Sequence, residues 1–109
     1  MPIANCLVLP ECRSGSSDLI ELWARESGQS AEHMTVNIIT PARQLGNRYG
    51  IMATLWLPSI WPDSDISSLQ TGLARALAIH YSLAPKEVHV ITQVVRSGLV
   101  VEDGETLQW

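Results

Sequence analysis

The sequence lacks the features that mark several common classes of protein. It contains no phenylalanine and only two cysteines, Cys6 and Cys12, which is too few for a disulfide framework or a four-cysteine zinc site. No apolar run approaches the ~20 residues that a membrane-spanning helix needs. The first residues also lack the basic segment of a signal peptide, and an acid, Glu11, occurs early. We therefore expect a cytoplasmic protein without membrane contact.

Charge is sparse as well. Charged residues make up 17% of the chain, and 7 basic against 11 acidic residues give a net charge of −4. The basic residues are scattered, whereas a nucleic-acid surface needs a concentrated positive footprint. The three histidines have no metal-ligand spacing. We therefore expect no nucleic-acid partner, no metal and no cofactor.

The chain does contain enough apolar material for a hydrophobic core. Hydrophobic residues make up 46% of its 109 residues, and a chain of this length can bury a core without disulfides or metals. Glycine and proline are spread along the chain and no low-complexity linker interrupts it. We expect one domain over residues 1–109.

Apolar runs alternate with turn-forming residues in a repeated order of strand, helix and strand. Gly28 is a fitting end for the first helix, Asp63 or Asp65 can cap the second, and Pro85 ends it. After the last long strand, residues 99–101 predict a short strand and residues 102–109 an exposed tail. The pattern predicts strands at 2–9, 33–40, 51–61 and 87–95, and helices at 19–27 and 66–84.

This order predicts an α/β (α+β) fold built from two fused β-α-β units, about residues 2–50 and 51–101. A helical crossover implies parallel strands within each unit. Two helices cover only one face of the resulting four-stranded mixed sheet. Because the strands are apolar throughout, the other face needs a cover, which a second copy of the chain could supply. A loosely packed monomer and a ferredoxin-like binding module, monomeric or dimeric, are the alternatives.

Several segments resemble one known family. They are P-I-A at 2–4 with R-S at 13–14, M-T-V-N-I-I-T at 34–40, R-Y-G-I at 48–51 and A-P-K-E-V-H-V-I-T at 84–92. In these segments the chain resembles the 4-oxalocrotonate tautomerase family. Two such units in one chain resemble the arrangement of macrophage migration inhibitory factor within the tautomerase superfamily.

The resemblance implies a homotrimer with active sites at the subunit boundaries and a small carboxylate substrate. It also implies that Pro2, once Met1 is removed, is the catalytic base or acid. An ordinary α-amino group has a pKa of about 7.7–8.0, and burial or a neighbouring cation lowers it. A neutral secondary amine near pH 7 is then a suitable general base. The plain alternative is a proline tolerated at the start of a strand.

The resemblance also suggests substrate-binding residues. Arg13 falls near the family arginine that binds the substrate carboxylate, and Tyr49, with Arg48 beside it, matches an aromatic residue of the family's pocket. His89, inside V-H-V, stands where the migration inhibitory factor pattern has a tyrosine, and could donate to a substrate carbonyl from a neighbouring subunit. Each arginine could equally be a solvated loop charge, and His89 an ordinary strand residue.

The chain also departs from the family patterns. Gln29 replaces a lysine, Thr35 replaces an arginine, and the paired arginines of the dehalogenase-like members, expected near 58–64, are absent. From the resemblance we expect a keto–enol tautomerase, or a related hydratase or decarboxylase, acting on an unsaturated or 2-oxo acid. The missing cationic positions motivate the alternative, a catalytically inactive trimer of the same fold with a binding or structural role.

Overall fold

A computed structural model describes the whole chain, Met1–Trp109. Two short 3₁₀ turns, Ala31–His33 and Pro85–Glu87, precede the second and fourth strands. Neither α-helix combines the length and apolar character that crossing a bilayer requires. The elements are β1 (Ile3–Val8), α1 (Leu19–Ser27), β2 (Thr35–Ile39), β3 (Ile51–Pro58), α2 (Asp63–His80), β4 (Val88–Val95), β5 (Val100–Glu102) and β6 (Glu105–Leu107).

The main sheet has the strand order β2-β1-β3-β4. β1 pairs with β2 in parallel and β3 pairs with β4 in parallel, while β1 and β3 join the two halves in antiparallel fashion. The predicted pair of β-α-β units and the mixed four-stranded sheet are therefore confirmed. In the central pairing Ile3 lies opposite Trp56 and Val8 opposite Ile51. The start of β1 consequently lies beside the ends of β3 and β4.

The core lies between the helices and one face of the sheet. Alternate residues of the two central strands are buried there, as the two-residue period of a strand requires. The helices contribute Trp23 from α1 and a row of leucines from α2. The fully buried side chains of largest volume are Trp23, Ile51, Leu55, Leu57, Leu69, Leu73, Leu77 and Cys6.

Local hydrogen bonds fix the first helix. The Asp18 side chain accepts from the backbone N–H groups of Ile20 and Glu21, which satisfies donors that lack a helical partner. Gly28 ends the helix with a φ of 71°, the left-handed conformation that glycine adopts without strain. The Trp23 indole N–H donates to the Leu69 carbonyl at 3.0 Å, which joins α1 to α2 in the core.

The second helix begins earlier than predicted, at Asp63 rather than Ile66, and ends earlier, at His80 rather than residue 84. Pro85 therefore does not end it; Ser82, with a φ of 54°, has already left the helical conformation. Pro62 occupies the N-cap position and no side chain caps the helix, so the expected capping by Asp63 or Asp65 was wrong. Both acids lie in the first turn, where they interact favourably with the positive end of the helix dipole.

The predicted exposed tail was also wrong, because residues 105–107 form β6 and pair with β5. Asp103 and Gly104 form the connection with φ values of 54° and 76°. Positive φ at both central residues is typical of a tight hairpin turn, and Asp-Gly is a favoured sequence for it. The β5–β6 hairpin is a separate two-stranded sheet.

The second face of the main sheet carries no covering layer. Large apolar side chains on this open face are 39–49% exposed: Leu7, Ile39, Trp56 and Ile91. An Asn5–Asn37 side-chain hydrogen bond of 2.8 Å crosses the same face. Contiguous exposed apolar surface of this kind marks an interaction site in soluble proteins.

The closest approach of the two helices generates a stability prediction. A methyl group at Gly72 would lie 2.7 Å from the Ser27 backbone nitrogen and 2.8 Å from the Ser27 Cα atom. In an uncrowded helix, Gly→Ala stabilises by up to ~1 kcal/mol. We expect Gly72→Ala instead to destabilise by about 1–3 kcal/mol through overpacking.

Urea unfolding followed by circular dichroism measures this difference. Thr71→Ala on the exposed side of the same helix is the matched control and should change the unfolding free energy by less than about 0.5 kcal/mol. A Gly72→Ala variant as stable as the parent would show that the helices do not pack this closely.

Candidate active site

A cavity of about 680 Å³ opens at the start of β1. Ile3 and Trp56 of the main sheet line one side, and Leu99 and Val100, which lead into the hairpin, line another. Eight of the nine lining residues are hydrophobic, and the ninth is Arg96. An apolar concavity with one convergent charged group is the usual form of a small-molecule site.

Pro2 does not itself line this cavity, but both of its chain neighbours, Met1 and Ile3, do. Its side chain is buried and its carbonyl accepts from the Thr35 backbone N–H at 3.0 Å, which ties the start of β1 to β2. Met1, bonded to the Pro2 nitrogen, lines the cavity. While Met1 is attached, the Pro2 nitrogen is an amide and cannot act as a base.

The amine carried by Met1 reports on the electrostatics of this end of the sheet. Burial lowers its pKa below the ordinary value, and the negative charge of Glu102 partly opposes that change by raising it. Burial disfavours the charged ammonium because the surrounding apolar groups replace water. An amine at this position is thus biased toward its neutral form.

The sequence analysis did not identify Arg96, which lines the cavity. It directly follows β4, and β4 runs parallel to β3 and therefore opposite to β1. The residue after β4 must then lie at the same end of the sheet as Pro2. The order of the strands contains a usable signal for this position. When two β-α-β units join through an antiparallel central pair, the end of the last strand lies at the same end of the sheet as the start of the first.

The four suggested substrate-binding residues lie at the opposite end of the sheet. Arg13 follows β1, Arg48 and Tyr49 precede β3, and His89 pairs with Met52 near the start of β4. The six residues of β1, Ile3–Val8, span five steps of about 3.3 Å, or about 17 Å in all. Within one chain, one small molecule cannot contact both Pro2 and these residues.

Two of the four make direct contact with each other. The Tyr49 and His89 rings lie with their centroids 5.0 Å apart at an interplanar angle of 52°. The His89 Nδ1 atom is buried without a hydrogen-bond partner. The structure thus brings together the aromatic and imidazole groups, while Arg13 is exposed on the loop after β1.

Arg48 is engaged by acids. Its guanidinium donates to the Glu11 carboxylate at 2.8 Å and lies 3.9 Å from that of Glu87. The hydrogen bond from Arg48 lowers the pKa of Glu11, and the same bond raises the pKa of Arg48. Two carboxylates around one guanidinium leave little positive potential for a further carboxylate.

Cys12 lies in the same cluster. Burial raises the pKa of its thiol, and the negative charge of Glu11 raises it further. A thiol is a poor nucleophile when its thiolate is disfavoured. Burial likewise raises the pKa of Cys6, in the core, to about 12. No three His, Cys, Asp or Glu side chains converge in a metal-binding arrangement.

Comparisons with known proteins give structural neighbours only. No family model matches the sequence, and no curated protein matches it. Native fused 4-OT aligns with a TM-score of 0.74 at 14% identity, covering 95% of this chain and 94% of the other. A cis-3-chloroacrylic acid dehalogenase family member, N1, aligns with a TM-score of 0.73 at 13% identity, covering 96% and 82%.

A third neighbour is macrophage migration inhibitory factor from Toxoplasma gondii. It aligns with a TM-score of 0.61 at 13% identity, covering 97% of this chain and 98% of the other. All three alignments span nearly the whole chain, while their identities are too low to transfer residue roles. The chain has the fold of the tautomerase superfamily.

Proposed function

We propose that the chain is a tautomerase-type enzyme in which the amine of Pro2, after removal of Met1, moves a proton on a 2-oxo or unsaturated carboxylic acid. The observation that carries this proposal is the apolar cavity lined by Met1 and Ile3, the two neighbours of Pro2, with Arg96 as its one charged lining residue. Removal of Met1 would leave the proline nitrogen at the wall that Met1 now lines. The cavity volume suits a substrate with an apolar body and one carboxylate.

The chemistry requires a base and an anion-binding group. The neutral amine takes a proton from the carbon beside the substrate carbonyl, and the resulting ammonium returns a proton to the enolate oxygen. The Arg96 guanidinium binds the carboxylate through charge-assisted hydrogen bonds. The apolar lining excludes water and strengthens this attraction.

The second part of the proposal is a homotrimer. Its support is the uncovered apolar face of the main sheet, together with neighbours described as fused 4-OT trimers, both symmetric and asymmetric. In an oligomer, the cluster of Tyr49 and His89 could complete a neighbouring copy's cavity, with His89 donating to the substrate carbonyl. Arg13 and Arg48 can reach a Pro2 site only in the same way.

One observation favours a second candidate, a trimer of this fold without catalytic activity. Arg48 donates to Glu11 and lies 3.9 Å from Glu87, so one of the family-suggested cations already has acidic partners. Such a protein would use its apolar cavity and surfaces for binding alone. It predicts no turnover of 2-oxo or enol acids even when Pro2 is N-terminal.

Replacement of Pro2 tests the catalytic proposal. Intact mass first identifies protein that lacks Met1. We expect Pro2→Ala to reduce kcat at least about 100-fold, the size of a typical general-base contribution, while light scattering still gives a mass near three chains.

Pro10→Ala is the matched control, because Pro10 is exposed and far from the cavity, and it should retain full activity. Full turnover by a correctly processed Pro2→Ala protein would contradict the role of the amine. A parent protein that lacks Met1 and turns over no 2-oxo or enol acid would favour the inactive trimer.

The pH profile tests the environment of the amine. Pro2 is buried, and burial already lowers the pKa of the amine carried by Met1. We expect the Pro2 amine to titrate below the usual range of about 7.7–8.0. Because the neutral amine is the base, kcat/KM should fall as pH decreases through this pKa and be level above it.

A ¹⁵N NMR titration of the proline nitrogen gives the same pKa independently. The two values should agree within experimental error. A Pro2 pKa at or above the ordinary range would show that burial does not favour the neutral amine.

Paired arginine substitutions test the anion site. We expect Arg96→Gln to raise KM about 10- to 100-fold, as the loss of a hydrogen bond between charged groups does. Arg48→Gln should have little effect on KM, since Glu11 already occupies its guanidinium. A larger effect of Arg48→Gln than of Arg96→Gln would show that the substrate carboxylate binds at Arg48, at the opposite end of the sheet from Pro2.

A further inference from the structure

Trp109 is anchored at two points beside the cavity. The Trp109 indole N–H donates to Ser59 Oγ at 2.9 Å, and its backbone N–H donates to Ser97 Oγ at 2.8 Å. Ser59 follows β3, and Ser97 follows Arg96. Trp109 therefore joins the chain segments that leave both β3 and β4.

These bonds flank Arg96 on both sides. The Ser59 backbone N–H donates to the Val95 carbonyl at 2.8 Å, immediately before Arg96. Ser97, immediately after it, carries the hydroxyl that Trp109 binds, and that hydroxyl also lies 3.2 Å from Gln108 Oε1. The Gly98 N–H donates to the Leu107 carbonyl at 3.0 Å, which closes the base of the hairpin.

The same bonds hold one wall of the cavity. Leu99 and Val100 line it, yet β5 pairs only with β6 and shares no backbone ladder with the main sheet. An isolated two-stranded hairpin is marginally stable by itself. The hairpin therefore depends on its anchors for a fixed position.

We infer that Trp109 is a positioning residue: through Ser59 and Ser97 it holds Arg96 and the Leu99–Val100 wall in the arrangement that binds a carboxylate with an apolar body. The inference rests on the proposed function in using Arg96 as the anion site. Ordering these segments before binding removes an entropic cost that the ligand would otherwise bear. Trp109 itself need not touch the ligand.

This role is separable from a contribution to the fold. Trp109 and Ser59 are outside the hydrophobic core cluster, and Ser59 is exposed. Removal of their hydrogen bond should leave the two helices and the main sheet intact. A merely structural role would instead lower stability without a selective effect on ligand binding.

The test measures binding without turnover. Phenylacetate, which has one carboxylate and an aromatic body, is titrated into protein carrying Pro2→Ala, and Kd is obtained from amide chemical shifts. Two variants are each combined with Pro2→Ala. Trp109→Phe removes the donor of the indole–hydroxyl hydrogen bond, and Ser59→Ala removes its acceptor. We expect both to raise Kd about three- to tenfold, because binding must then order the Arg96 segment and the hairpin, at a cost typical of immobilising one side chain. The urea midpoint should not change, since these residues lie outside the core cluster.

Trp61→Phe is the matched control, because Trp61 packs against the core and its indole makes no hydrogen bond to another side chain or to the backbone. It should leave Kd unchanged. Unchanged Kd in Trp109→Phe, equal weakening in Trp61→Phe, or failure of phenylacetate to bind the parent protein would each overturn the inference. Failure of catalysis by Pro2 would appear instead in turnover, either retained by Pro2→Ala or absent from the processed parent protein, so the two proposals fail by different measurements.

Discussion

The antiparallel pairing of β1 with β3 is the constraint on which the rest of the structure depends. Each half of the chain would form its own parallel pair, but only this central pairing merges them into one sheet. It also decides which strand ends meet. The start of β1 lies beside the ends of β3 and β4, so Pro2 and Arg96 come to one end of the sheet while Tyr49 and His89 come to the other. A one-residue slip of this register would turn the buried face of β1 outward.

The fold could be predicted from the sequence because its signals are local and repeated. Apolar periodicity, Gly28 and the prolines gave the main strands and helices, and crossover geometry gave the parallel pairs. The short strand predicted at 99–101 corresponds to β5, Val100–Glu102. The hairpin was missed because β6 has only three residues, too few for a periodic signal, although Asp103-Gly104 is a recognised turn pair. The start of α2 was missed because Asp63 and Asp65 fit a cap as well as a first turn.

The candidate site was less accessible to sequence reasoning. Pro2 was identified from the family resemblance, but the cations were chosen by position in the family patterns. Which arginine faces the same space as Pro2 depends on strand direction across the whole sheet. Whether a guanidinium is free depends on side chains distant in sequence, as for Arg48 and Glu11, which are 37 residues apart. Neither property is encoded in a short segment.

Charge distribution then separates the two ends of the sheet chemically. At the far end, Glu11 and Glu87 surround Arg48, and the buried His89 Nδ1 has no partner within the chain. At the Pro2 end, Arg96 is the one charged side chain on an otherwise apolar lining. A buried polar atom without a partner is costly, and because His89 Nδ1 is already closed off from solvent, no second copy reaches it without a local rearrangement. The far end is thus a closed cluster, whereas the Pro2 end presents an apolar lining with one guanidinium, the arrangement that a bound anion completes.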